Sequence, residues 1–368
     1  MESTSASEGI RVGIIGVGWG SVVQVPAFRM VPPFEVVALC SRRAERVEAA
    51  GEALDIADTS TDWAEFVQRD DLDLISVCTP VGLHAQQTLA AIAAGKHVMV
   101  EKPVGVDATQ TEAMLDAAEA AGVQHAVCFE SRWEPARLAV WDRVRAGHLG
   151  EPYLATARSA GDFWHPTRAI QSEWMYTRAE GGGYLMGMAA HDIDYVCALF
   201  GDPVAVCADV RTFVPERTRP DGSTLHVDAD DTAALLLRMA DGMLAVITST
   251  AVALHENRRS FECFGSRGSL TMAGALLGTE EPEIRSGVVE SSEGEVIAPS
   301  DRMPASGAAL PKRRAAGAIR ALALMLEDWV PAFAGQASPV PTLRDGHRVQ
   351  RVVDAALRSS TGEGWVAL

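Results

Sequence analysis

The sequence predicts an α/β protein in two parts. The first is an N-terminal doubly wound parallel sheet. The second is a C-terminal domain with a large, mostly antiparallel open sheet. Three observations predict this. Short apolar runs alternate with helical stretches up to residue 130. Beyond Trp133 the strands lengthen, alternate in polarity and are separated by few helices after residue 200. The chain has 368 residues, 48% hydrophobic and 22% charged, enough for two domains at about 150 residues each.

In order, residues 10–18 (IRVGIIGVG) are an apolar run closed by glycines. Period-two alternation is absent, as a strand buried on both faces requires. A glycine cluster follows, then a helical stretch interrupted early by Pro26. FEVVALC (34–40) is the second strand, 42–54 a polar helix and LDLISVCTP (72–80) the third strand. Residues 84–94 read as an amphipathic helix ended by Gly95. HVMVEKP (97–103), an alanine-rich helix at 107–121 and VQHAVCF (123–129) complete the series. This succession calls for right-handed βαβ units.

A helix over 135–146 stops at Gly147, and the long strands PYLATARS, AVCADVRTF, TAALLLRMA, MLAVITSTAV and SFECFGS follow. Residues 278–314, rich in Gly, Ser, Pro, Glu and Arg, predict a long surface excursion. Helices over 316–333 and 345–359 end the chain. The expected domains are 1–130, with 1–9 as a disordered tail, and 131–368.

Net charge is -17, from 32 basic and 49 acidic side chains, which argues against non-specific binding to nucleic acid or anionic lipid. No apolar run approaches the ~18 residues that cross a bilayer, and residues 1–8 lack the basic and apolar segments of a secretory signal. The six cysteines form no CxxC pair, so reduced, buried thiols in a cytoplasmic protein and no metal site are expected. Only three basic residues are lysine: Lys96, Lys102 and Lys312. Lysine differs from arginine in having an amine that exchanges protons near neutrality once buried, so each lysine is a candidate.

The first glycine cluster reads Gly16-Val17-Gly18-Trp19-Gly20-Ser21 between a strand and a helix. Glycines let backbone approach a pyrophosphate, whose charge the helix N-terminus favours. The pattern is imperfect: Ser21 holds the third glycine position and Gly20 comes one residue early. The second strand ends in Cys40-Ser41-Arg42-Arg43. A carboxylate there would bond ribose hydroxyls, whereas arginine accommodates a 2′-phosphate. NADP(H) is therefore favoured, with NAD(H) possible. The bland alternative is that Arg42 and Arg43 open a helix facing solvent.

The chain resembles the Gfo/Idh/MocA oxidoreductase family nearly end to end. GIIGVGWG, VCTPVGLH (77–84), AGKHVMVEKP (94–103), FESRWEP (129–135), AGHLGEP (146–152), GGGYLMGMAAHDID (181–194), DDTAALLLRMADG (230–242) and FGSRGSL (264–270) carry the likeness. It implies an N-terminal Rossmann domain, a C-terminal α/β domain, and a nicotinamide cofactor with a sugar, cyclitol or similar polyol as substrate. It also implies a homodimer or homotetramer built on the second sheet.

By the same resemblance, Lys102 contacts the reacting hydroxyl or ketone and helps proton transfer, and His191 takes the hydroxyl proton. Gly16, Gly18, Trp19, Gly20, Ser41, Arg42, Arg43, Thr79, Pro80, His84, Glu101, Lys102 and Arg132 are expected at the cofactor. Trp164, His165, Trp174 and Arg178 are expected at the substrate with Lys102 and His191. His84 reads equally well as a helix N-terminal residue, and any one of the aromatic residues as core. Asp194 reads first as a structural partner.

The sequence departs from the family at two places. The usual asparagine after Pro80 is Val81. The usual aspartate four residues before His191 is Gly187, and Ala189 replaces a glycine. Asp192 or Glu173 could substitute for the missing acid, or the gap could admit substrate. The expected activity is hydride transfer to or from a hydroxyl-bearing carbon. Redox-assisted elimination with cofactor recycling is one alternative, and a non-catalytic NAD(P)-binding regulator another.

Overall fold

The structure, a computed structural model, describes residues 9–275, 283–288, 294–307 and 315–368. The expected tail at 1–9 and Lys312 lie outside these, Gly9 excepted. The chain forms two compact units: Met1–Gly105, Thr109–Glu134 and Arg302–His347 in the first, and Val106–Ala108, Pro135–Asp301 and Arg348–Leu368 in the second.

The first unit is built from β1 (Ile10–Ile15), α1 (Val25–Phe28), β2 (Phe34–Cys40), α2 (Ala44–Leu54), β3 (Asp58–Ser60), α3 (Trp63–Phe66), β4 (Leu74–Val77), α4 (His84–Ala93), β5 (His97–Val100), α5 (Ala108–Ala121) and β6 (His125–Val127). Its sheet runs β3-β2-β1-β4-β5-β6, parallel throughout. Every residue of β4 is buried, and so are Val12, Ile14 and Ile15 of β1. That explains their unbroken apolar runs. Strand order reverses between β1 and β4, and ligands collect at the carboxyl ends beside such a switch.

The second unit holds α6 (Pro135–Arg145), β7 (Pro152–Gly161), α7 (Ala190–Phe200), β8 (Pro203–Arg211), the hairpin β9 (Glu216–Thr218) and β10 (Thr224–His226), β11 (Thr232–Met239), β12 (Leu244–Thr250), β13 (Asn257–Gly265), β14 (Gly268–Gly274), β15 (Glu283–Val288) and β16 (Glu295–Ile297). Two more helices follow, α8 (Ala316–Trp329) and α9 (Leu343–Arg358), and a last strand, β17 (Val366–Ala367). The nine-stranded sheet runs β16-β15-β14-β13-β7-β12-β11-β8-β17. Only β7 and β12 pair in parallel. Ala233, Leu235, Leu237 and Met239 of β11 alternate inward with period two. Tyr195 of α7 packs edge-on against Phe261 of β13 at 5.1 Å.

Three expectations are corrected. The described part of the 278–314 excursion contains β15 and β16, which extend the sheet through Ile284 and Ile297. β17 follows the last helix and pairs with β8. Residues 302–347, assigned from sequence to the second domain, cluster with the first unit. There α8 brings Trp329 against Phe34 of β2, with ring centroids 6.1 Å apart, and Phe333 joins at 5.7 Å from Phe34. The Trp133 indole donates to Asp328 of α8 at 2.7 Å. The six cysteines carry free thiols, all buried except half-buried Cys207. Among the described residues no helix is long and apolar enough to cross a membrane.

Candidate active site

In the first unit the candidate groups gather at the carboxyl ends of the strands. After β1, the Gly16 N–H donates to Cys40 O at 2.8 Å, tying the turn to β2. Gly16 has φ +109°, and a Cβ there would run into the Cys78 carbonyl. Only glycine fits this conformation and this approach. Gly18 and Trp19 are exposed, and a Cβ on Gly18 would meet no atom within 4 Å. Open backbone thus leads into the helical turn that starts at buried Gly20, a suitable seat for a pyrophosphate. Ser21 turns its hydroxyl back to Val17 O at 2.6 Å, so it stabilises the loop itself.

Beside this turn, Ser41 is half-buried, with its N–H on Ser60 O at 3.0 Å. Arg42 and Arg43 are exposed. Their guanidinium groups lie at the end of β2, where a ribose phosphate would add negative charge.

At the end of β4, Thr79 donates its hydroxyl to Gln87 at 2.6 Å, Pro80 is exposed and Val81 is buried. His84 is 1% exposed. Its Nδ1 lies 2.9 Å from Pro103 O and its Nε2 2.7 Å from Thr79 O. Burial lowers the tendency of this ring to charge. Its two nitrogens are engaged with backbone, and the imidazole fastens the β4 loop to the β5 loop. Arg132, also expected at the cofactor, is buried and donates to Asp345 at 3.2 Å. Lys96 is buried and donates to Arg69 O at 2.6 Å, a structural use.

β5 ends in Glu101 and half-buried Lys102, with a cis bond to Pro103. Buried Glu101 accepts from Gln24 Nε2 at 3.0 Å and from the Lys102 N–H at 3.2 Å. Ser76 holds Gln24 in turn, donating to its Oε1 at 2.8 Å. Desolvation raises the pKa of Glu101, and the Lys102 charge opposes the rise.

Glu130, absent from the sequence-based candidates, opens the turn that follows β6. It corresponds on β6 to Glu101 on β5, and strand order would have drawn attention to it. Gln24 and Ser76 carried no sequence signal, because their partners are far along the chain.

In the second unit, Gly181-Gly182-Gly183 leads through a π-helical turn (Leu185–Ala189) into α7. Gly183 has φ +123°, and a Cβ there would strike the Asp230 carboxylate. Asp230 accepts the Leu185 N–H at 2.7 Å. Burial pushes its pKa up to about 6. These contacts set the start of the helix that carries His191, which is 6% exposed.

The two substitute acids are engaged elsewhere. Asp192 forms a buried ion pair with Arg137 and accepts from the Ser159 hydroxyl at 2.8 Å. Arg137 also reaches His191 O at 3.3 Å. Exposed Glu173 pairs with Arg219 at 2.8 Å. Asp194 is fully buried on α7. A Cβ on Gly187 would meet nothing within 4 Å.

Of the expected substrate residues, Trp164 is 3% exposed and belongs to a core with Tyr176 and Tyr184, at centroid distances of 4.9 and 5.6 Å. His165 and Trp174 are half-buried and Arg178 is exposed.

Two family models match this chain. One describes an oxidoreductase family with an NAD-binding Rossmann fold and spans residues 10–129; the other, the GFO/IDH/MocA C-terminal domain, spans 138–271. Levoglucosan dehydrogenase of Pseudarthrobacter phenanthrenivorans is 26% identical over 390 residues, covering 98% of each chain. Myo-inositol 2-dehydrogenase of Thermotoga maritima is 26% identical over 262 residues, 71% of this chain and 74% of its own. A solved structure of levoglucosan dehydrogenase in complex with NADH and L-sorbose is similar in fold, with a TM-score of 0.85 at 24% identity, covering 98% of this chain and 99% of that one.

Proposed function

Because this chain belongs to the Gfo/Idh/MocA oxidoreductase family, we propose that it moves a hydride between a nicotinamide dinucleotide and a hydroxyl- or ketone-bearing carbon of a sugar, sugar derivative or cyclitol. The observation that carries the reading is Lys102. It is half-buried at the carboxyl edge of a parallel sheet, in the same unit as the glycine cradle. When bound, the nicotinamide supplies the hydride acceptor or donor.

The protein's share is binding and proton handling. Backbone at Gly16, Gly18, Trp19 and Gly20 holds the pyrophosphate, with Ser41, Thr79, Pro80 and Glu101 along the same edge. Lys102 holds the substrate oxygen, and His191 takes or returns its proton. His165, Trp174 and Arg178 bind the polyol, with Trp164 supporting them from the core. The open space at Gly187 takes a substrate hydroxyl where relatives carry an acid. His84 and Arg132 act by holding the loops.

The test is turnover, read from the reduced nicotinamide absorbance with NAD+ or NADP+ and a broad panel of sugars and cyclitols. Reduction with at least one polyol is expected. Tight dinucleotide binding without turnover across the panel would replace this reading with that of a binding regulator.

The finer reading is a preference for NADP(H), supported by the two exposed guanidinium groups at the end of β2. Arg42→Ala should weaken NADPH about tenfold, the loss of one charge-assisted phosphate contact, and NADH less than twofold. Titration by fluorescence gives both constants, and equal losses would remove the phosphate pocket.

A further inference from the structure

Three groups at the Lys102 corner have stated uses: Glu101 is held by Gln24, Gln24 by Ser76, and His84 joins two loops. Glu130 has none. Its strand lies beside β5, with the Cys128 N–H on Val100 O at 2.9 Å, so Glu130 follows β6 where Glu101 and Lys102 follow β5. Its Oε2 is buried and has no hydrogen-bond partner. A buried carboxyl oxygen in that condition is costly, and it persists most readily where a function uses it.

The surroundings define its charge. Glu101 and Lys102 face it from β5, Cys78 from the end of β4 and Cys128 from β6, while Glu134 closes its own turn. On α8, packed against that turn, Asp328 is already taken by Trp133 and Arg302. Arg132 of the same turn is bonded to Asp345. Lys102 is thus the cation that acts on Glu130, opposed by the carboxyl of Glu101.

We propose that Glu130 is a relay group acting through Lys102, which takes the substrate proton from its amine and passes it to water. The inference rests on the role given to Lys102 above. In the oxidising direction the substrate O–H breaks and an N–H forms on Lys102. That ammonium then gives a proton to the Glu130 carboxylate, and the carboxyl releases it to solvent. The electron pair leaves the substrate carbon as hydride to the dinucleotide, so atoms and electrons balance. Reduction runs the same steps backwards. Burial and the neighbouring Glu101 push the Glu130 pKa up to about 8, close to the range in which a relay both accepts and donates.

Infrared pH titration of the cofactor-free protein should show a carboxyl C=O band that vanishes near pH 8, and Glu130→Gln should remove it. In the assay, Glu130→Gln should lower kcat about tenfold, change KM less than twofold and erase that ionisation from the kcat profile, while Glu130→Asp keeps it. Absence of the band from the wild-type titration, or an unchanged profile in Glu130→Gln, overturns the relay. Loss of turnover in Lys102→Ala with an unaltered Glu130→Gln profile defeats the relay alone. Full turnover in Lys102→Ala defeats the proposed function beneath it.

Discussion

Lys102→Ala should lower kcat about 10²- to 10⁴-fold, the range for a lost proton-transfer group, and change dinucleotide affinity less than about threefold. The two effects separate because the alanine backbone keeps what the cofactor edge needs. Glu101 is held by the Lys102 backbone N–H and by Gln24, neither of which the substitution removes. The Gly16 turn is tied to β2 and packs on β4. Lys102→Arg should fail nearly as badly, since a guanidinium keeps the charge but does not give up a proton near neutrality. Steady-state rates and fluorescence titration measure the two quantities. Wild-type turnover in the alanine variant would remove Lys102 from the chemistry.

Asp192→Ala should cost about 3–5 kcal/mol of stability, the usual penalty for breaking a buried ion pair by removing one member. Arg137 is 0% exposed, and the substitution strips it of its carboxylate. The Ser159 hydroxyl loses its acceptor in the same step. Arg137 also holds neighbours in place: its guanidinium lies over the Tyr195 ring at 4.5 Å, and its carbonyl accepts the Tyr195 hydroxyl at 2.7 Å. Asp192→Asn, which keeps an acceptor, should lose less. Urea unfolding followed by circular dichroism reads the difference. An unchanged midpoint in Asp192→Ala would show that the pair does not stabilise the fold, and Asp192 would return as a candidate partner of His191.

The parallel sheet was legible because strands buried on both faces write themselves as unbroken apolar runs, as in β1 and β4. The inward face of β11 was legible from its alternation. β15 and β16 were not, because a short edge strand needs only Ile284 and Ile297 as anchors and is otherwise polar. The place of α8 was hidden for another reason. Ile319, Leu322, Leu326 and Trp329 announce a buried helix face, but periodicity does not say which sheet it covers.

At the site, Lys102 and Glu101 stood out through their position at a strand end. The stapling by His84 did not, because Pro103 is 19 residues away and nothing local marks the pairing. Trp164 looked like a ligand platform because aromatic crowding is the same signal in a pocket and in a core.

The return of residues 302–347 to the first unit bears on how the protein can be dissected and recombined. A fragment ending at Glu134 would lose the aromatic flank that Trp329 and Phe333 lay over Phe34, and would offer that greasy patch to any neighbour in solution. The dinucleotide half is therefore not a cassette that can be lifted out in one cut. An exchange with a relative would have to carry both stretches of chain together.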